Sequence, residues 1–145
     1  MTDFKTELRE RGVLVYTNKG ASMMPLLRQD RDVMVIQAKT APVQKNDAVL
    51  FQRDNGQYVL HRVTKLREDG TYWIIGDNCV SGETVREDQI LGVLTEVIRD
   101  GKTLKCTDKA YLLYVKTVPF RRALVTAKRS SRRALSRVYH GLMGR

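Results

Sequence analysis

Ser22, in Gly20-Ala21-Ser22-Met23-Met24-Pro25, and His61, in Val59-Leu60-His61-Arg62-Val63, are the side chains of this sequence best suited to nucleophilic and acid–base chemistry. Gly20 lets the backbone approach a neighbour closely, and Pro25 fixes φ at the start of a turn or helix. A serine hydroxyl is a weak nucleophile until a base takes its proton. An imidazole, with an ordinary pKa near 6.5, is largely neutral at physiological pH and can be that base. Together the two residues predict acyl transfer through a serine. Apart, each has a plainer reading: Ser22 caps the turn Met23 to Leu27, and His61 is a structural histidine bonded to backbone. The other histidine, His140, lies among polar and basic neighbours and reads as a surface residue.

A histidine base needs a third group to hold its tautomer and stabilise the imidazolium. Two carboxylates compete, both in the segment Gly76-Asp77-Asn78-Cys79-Val80-Ser81-Gly82-Glu83. Asp77 either orients His61 or braces its own loop by accepting backbone N–H groups, as Asp beside Gly often does. Glu83 is the alternative. Met23 and Met24 line an adaptable apolar substrate pocket or pack in the core. Lys65, four residues beyond His61, would need strong desolvation to serve as a base. An oxyanion would have to be met by backbone N–H groups near Ser22, since Gly20 has no side-chain donor. Nothing in the sequence calls for a cofactor, and the two cysteines have no metal-ligand spacing.

The elements that must position these residues are mostly strands. Phe4 and Leu8, at i and i+4, suit a short N-terminal helix that Gly12 would end. Strands are expected over 13–17, 32–38, 48–53, 57–66, 72–75, 90–98 and 103–106, from β-branched and aromatic content and alternation. Asp54-Asn55-Gly56 predicts a tight primed hairpin, and Glu68-Asp69-Gly70 another of the same kind. The segment 76–83 reads as a loop. The resulting expectation is a twisted, mainly β domain over 1–108, followed by a basic amphipathic helical tail over 109–145. Pro119 is expected to break or kink that helix.

Charge draws the same boundary. All 16 acidic residues precede position 109, where 16 of the 26 Lys and Arg balance them; the net charge of +10 belongs to the last 37 residues. Leu124, Val125, Leu135, Val138, Tyr139, Leu142 and Met143 alternate there with cations, although the apolar face thins between Lys128 and Arg133. An anionic membrane surface is the partner this pattern predicts for 121–145. Charge alone would also allow a nucleic acid, but no recognised binding motif accompanies it. The sequence shows no spanning segment and no apolar stretch of a cleavable signal, and its two cysteines read as free thiols. The expected location is therefore the cytoplasm or the periphery of a membrane.

Four stretches in order, Gly20-x-Ser22-Met23-x-Pro25, Lys45-x-Asp47-x-Val49, Val59-Leu60-His61-Arg62-Val63 and Gly76-Asp77-Asn78, resemble the successive sequence boxes of the type I signal peptidase family. That family belongs to the clan that also holds the self-cleaving SOS-type repressors. The resemblance covers about residues 20 to 95. It implies a signal-peptidase-like β fold, Ser22 as nucleophile, and a general base at position 61. Bacterial members have lysine there, whereas the endoplasmic-reticulum and archaeal type has histidine, as here. Glu83 stands where histidine-type relatives commonly have aspartate. A membrane-spanning segment usual in the family is not visible. The implied activity is a serine endopeptidase acting on a peptide or protein substrate without a cofactor. The rival reading is a non-catalytic peptide-binding or membrane-associated module that keeps the fold. A self-processing regulator with a nucleic-acid-binding tail fits less well, because self-cleaving repressors use a lysine base and carry their DNA-binding domain before the peptidase domain.

Overall fold

A computed structural model describes residues 3–143. The chain is mainly antiparallel sheet with one short and one long helix. Helix α1 (Phe4–Arg11) buries Leu8 and stacks Phe4 against Tyr16 and Tyr58. Gly12 ends it at φ 75° and donates its N–H to the Leu8 carbonyl, a left-handed cap that glycine adopts without a Cβ penalty.

Eight strands follow: β1 (Val13–Thr17), β2 (Val33–Ala38), β3 (Ala48–Gln52), β4 (Tyr58–Leu66), β5 (Tyr72–Ile75), β6 (Glu83–Val85), β7 (Ile90–Arg99) and β8 (Lys102–Lys105). The sheet order is β1-β2-β7-β3-β4-β5-β6, with β8 paired to β7, and it does not close into a barrel. Strand β3 lies centrally between β4 and β7 and is buried on both faces, which its unbroken apolar run Ala48-Val49-Leu50-Phe51 anticipates. Ala48 and Leu50 join one core with Leu14, Met23, Leu27, Ile36 and Leu94. Val49 and Phe51 join a second with Val63, Ile74, Val85 and Ile90.

The turns differ in kind from those expected. At Asp54-Asn55-Gly56 only Gly56 has positive φ, so the connection is a three-residue loop ending in a left-handed glycine, not a two-residue primed turn. Arg53 and Gln57 close it by a backbone bond of 2.8 Å, and Asn55 Oδ1 accepts the Gln57 N–H. Gly70 likewise supplies the sole positive φ of its turn. The primed two-residue turn is instead Asp100-Gly101, where both residues have positive φ and β7 passes directly into β8.

The expected loop 76–83 is shorter than anticipated, because Glu83–Val85 forms β6 against β5 with Glu83 opposite Ile74. Helix α2 spans Lys109–Met143 with Pro119 inside it, so of the expected break or kink the break does not occur. Proline there forfeits the hydrogen bond to the Val115 carbonyl, but Val118 beside it and Tyr111 two turns earlier are buried and anchor the helix on the sheet. From Thr126 to Leu142 every residue is exposed. No helix among the described residues is long and apolar enough to cross a membrane.

Candidate functional site

Ser22 opens the turn between β1 and β2, a segment closed at its base by two buried side chains. Asn18 donates its side-chain N–H groups to the carbonyls of Gly20 and Leu27, and its backbone N–H to the Asp32 carbonyl. Asp32 accepts the Arg28 backbone N–H at 2.7 Å and the guanidinium groups of Arg28 and Arg99. Arg99 reaches on to the carbonyls of Pro25 and Leu26, and the Met24–Pro25 peptide bond is cis. Neither Asn18 nor Asp32 stood out in the sequence, because each acts across a fold of the chain and not at a motif spacing.

The Gly76-Asp77-Asn78 loop clamps this turn from the other side. The Asn78 backbone N–H donates to the Ser22 carbonyl at 2.8 Å, and its side chain donates to the Ala21 carbonyl at 3.1 Å. The Asp77 N–H points at the Met23 sulfur, 3.4 Å away. Gly76 is where the parts meet. A Cβ at that position would stand 2.7 Å from the Ser22 carbonyl oxygen, 2.7 Å from Cys79 Sγ and 3.0 Å from His61 Cδ2. The serine turn and the imidazole thus approach one point, and only glycine leaves the room.

His61 lies mid-strand in β4, opposite Val49 and with its ring edge-on to Phe51, on the face it shares with Val59 and Val63. Its Nδ1 is 4.0 Å from Glu83 Oε1 on the newly found strand β6. Glu83 is fixed in turn by Arg53, whose Nε and Nη2 donate to its two oxygens at 3.0 and 2.6 Å. Burial pushes the His61 imidazole below its ordinary pKa of 6.5; Glu83 opposes that shift and Arg53 adds to it. Neutral imidazole is therefore the resting form near neutral pH. Arg53 is a site residue the sequence did not reveal. Its only signal is a cation at the end of a strand, and its partner is 30 residues away.

Asp77 has a different occupation. Arg62 donates to both its oxygens at 2.8 Å, and the Tyr114 hydroxyl donates to Oδ2 at 2.7 Å. Arg62 is almost wholly buried and also bonds the Asn46 carbonyl and the Tyr111 hydroxyl. Of the two carboxylates, Asp77 braces the core beneath α2 and Glu83 faces His61. The 45–49 turn serves the same strand: Asn46 and Asp47 exchange backbone bonds with Val63, next to Arg62.

A groove of about 400 Å³ is lined here by Tyr16, Asn18 and Gly20, by Arg53, Tyr58, Val59 and Leu60, and by Ser22, His61 and Cys79. Met23 does not line it. Its side chain is 2 % exposed and packed in the first core, so packing and the contact with Asp77 replace the expected pocket role. Met24 is partly exposed on the turn but lies outside the groove lining. Lys65 is exposed beyond the bulge that follows Val63.

The Met24 N–H is taken by the Ala21 carbonyl at 3.2 Å. Among the described residues the amides of Ser22 and Met23 meet no acceptor, which leaves both N–H groups free to donate to an oxyanion. Also among the described residues, no hydrogen bond joins the Ser22 hydroxyl to His61. Compared with models of known protein families and with curated protein sequences, the chain matches none.

Proposed function

We propose that the chain is a serine endopeptidase of signal-peptidase-like type. The observation that carries the reading is the meeting at Gly76 of the Ser22 turn with one edge of the His61 ring, while the opposite edge faces Glu83. Cδ2 is bonded to Nε2, so Nε2 is the nitrogen on the serine side. Ser22 Oγ attacks the substrate carbonyl carbon as Nε2 takes its proton; Nε2 then gives that proton to the leaving amine as the C–N bond breaks. Water attacks the acyl-serine by the same route. Glu83 stabilises the imidazolium formed in each step. The amides of Ser22 and Met23 are the donors for the oxyanion.

The groove supports a peptide substrate in extended form. Residues 58–61 of β4 pair with β3 alone, because pairing with β5 begins at Arg62. Strand β1 pairs with β2 alone, so its outer edge is also open. A backbone laid between these edges would gain main-chain hydrogen bonds that orient its scissile bond toward Ser22.

A second reading, a peptide-binding module that keeps the fold without catalysis, has one observation in its favour: the open Ser22–His61 hydrogen bond. Such bonds often tighten only when substrate binds. Labelling with a serine-reactive phosphonate probe across the range where imidazole titrates separates the two. Labelling of the wild type that rises with His61 deprotonation and is lost in both Ser22→Ala and His61→Ala supports the peptidase. Labelling equal in all three proteins, or absent from the folded wild type, leaves the binding module.

A further inference from the structure

The face that α2 turns away from the sheet carries an apolar stripe from Leu113 to Leu142. Tyr111, Tyr114 and Val118 face the core, and Tyr114 reaches Asp77. On the opposite side stand Leu113, Phe120, Leu124, Leu135, Val138 and Leu142, spaced by three, four, seven and eleven residues, which keeps them on one stripe of a helix. Phe120 is 75 % exposed and Leu135 70 %. The gap between Lys128 and Arg133 is bridged by the small residues Ala127, Ser131 and Ala134 on the same line. A stripe that runs past the end of the packed segment, and looks outward even within it, is not spare core surface.

We propose that this stripe docks on the surface of an anionic lipid bilayer, with α2 lying in the plane of the interface. Charge selects this occupant. The helix carries nine Lys and Arg and no acidic residue. Arg121, Lys128 and Arg132 border one flank of the stripe, and Arg137 and Lys116 lie toward the other. A second copy of the helix would bring cations against cations with no carboxylate to answer them, whereas an anionic headgroup layer neutralises both flanks as the apolar side chains enter the acyl boundary. A nucleic acid would satisfy the charge but leave the leucines and Phe120 in water. The inference stands on α2 alone and does not depend on the chemistry at Ser22.

The test is co-sedimentation of the full chain with vesicles of phosphatidylcholine containing phosphatidylserine, against vesicles of phosphatidylcholine alone. Wild type and Ser22→Ala should bind the anionic vesicles equally and lose binding at high salt. Neutralising Arg132 or Lys128 with glutamine should weaken binding about fivefold each. Leu135→Glu with Val138→Glu, both on the unpacked part of the helix where the fold is not at risk, should abolish it. Equal binding to both vesicle types, or binding that survives the double glutamate variant, would overturn the proposal. So would a lipid-free dimer, seen by sedimentation velocity, that the double variant dissolves. Binding to a nucleic acid duplex that ignores the double variant, with no binding to vesicles, would assign the charge to that polyanion instead.

Discussion

Glu83 Oε1 stands 4.0 Å from His61 Nδ1, and Arg53 Nη2 holds that same oxygen at 2.6 Å. The carboxylate is thus pulled two ways, by a permanent cation and by an imidazole that becomes one only during a reaction. Burial lowers the His61 pKa and Glu83 raises it. Glu83→Gln removes the raising influence, leaves Arg53 without its partner, and lowers the imidazole pKa further. The acid limb of the labelling rate should move to lower pH while its plateau falls, on the order of tenfold to a hundredfold. A pH series on both proteins checks this. An acid limb that stays in place or moves to higher pH would show that some other group orients His61.

Asp77 should behave differently, although it is the carboxylate nearer the motif residues in sequence. Its loss strands Arg62, which is buried with Asp77 as its charge partner, and takes the acceptor from Tyr114. Asp77→Ala is expected to cost about 3–5 kcal/mol in urea unfolding, the usual penalty for orphaning one member of a buried pair. Whatever labelling survives should keep an acid limb closer to the wild type than Glu83→Gln does, since Asp77 is the smallest of the charge influences on His61. A stable Asp77→Ala protein with a strongly shifted acid limb would reverse the assignment of the two carboxylates.

How far these relationships were legible in the sequence depended on their range. Strands β1 and β5 have the expected bounds, and β2, β3, β4 and β7 differ at their ends by a residue, because alternation and turn residues report local backbone. The alternation of β4 also placed His61 on the face of Val59 and Val63. Strand β6 was hidden: three residues carry no period, and its pairing with β5 follows Gly82, where a Cβ would stand within 2.8 Å of Ile74, Ile75 and Trp73 atoms, a tertiary fact. The choice between Asp77 and Glu83 was equally out of reach, since it turns on Arg62 being 15 residues from one and Arg53 being 30 from the other. In α2 the apolar residues were visible in the sequence, but that one stripe of them begins at Leu113 and faces outward needed the contacts of Tyr111 and Val118.

Gly76 gives a prediction that separates close approach from backbone freedom. Its φ is not positive, so alanine meets no backbone penalty there, only the Ser22 carbonyl and Cys79 Sγ at 2.7 Å and the His61 ring at 3.0 Å. The carbonyl is fixed by the Asn78 N–H and cannot yield without moving the serine turn. Gly76→Ala should cost about 1–3 kcal/mol of stability, as overpacking does. It should reduce labelling at least as severely as it reduces stability, because a displacement of one ångström at the nucleophile alone is worth about a hundredfold. Gly20→Ala is the control, since its Cβ would meet nothing within 4 Å. Equal labelling by the two variants would remove Gly76 from the site.

Asp32 links the stability of the serine turn to pH. Burial by itself would push its carboxyl up, but the bonds from Arg28 and Arg99 outweigh burial and hold it well below the usual carboxylate range. A carboxyl with a depressed pKa in the folded state adds stability that is present above its unfolded pKa, about 3.9, and is lost as pH falls below that value toward the folded one. The arginines that hold it are partly exposed, so the contribution is smaller than for the Arg62–Asp77 pair. Asp32→Asn should therefore lower the urea midpoint near neutral pH by the equivalent of about 1–3 kcal/mol, and should flatten the fall of stability in acid. Because Arg99 also bonds the carbonyls of Pro25 and Leu26, the variant should lose labelling at neutral pH even where it remains folded. An Asn variant with the wild-type slope in acid would place the acid sensitivity elsewhere, whereas a flattened slope with full labelling would confine Asp32 to stability and free the serine turn from it.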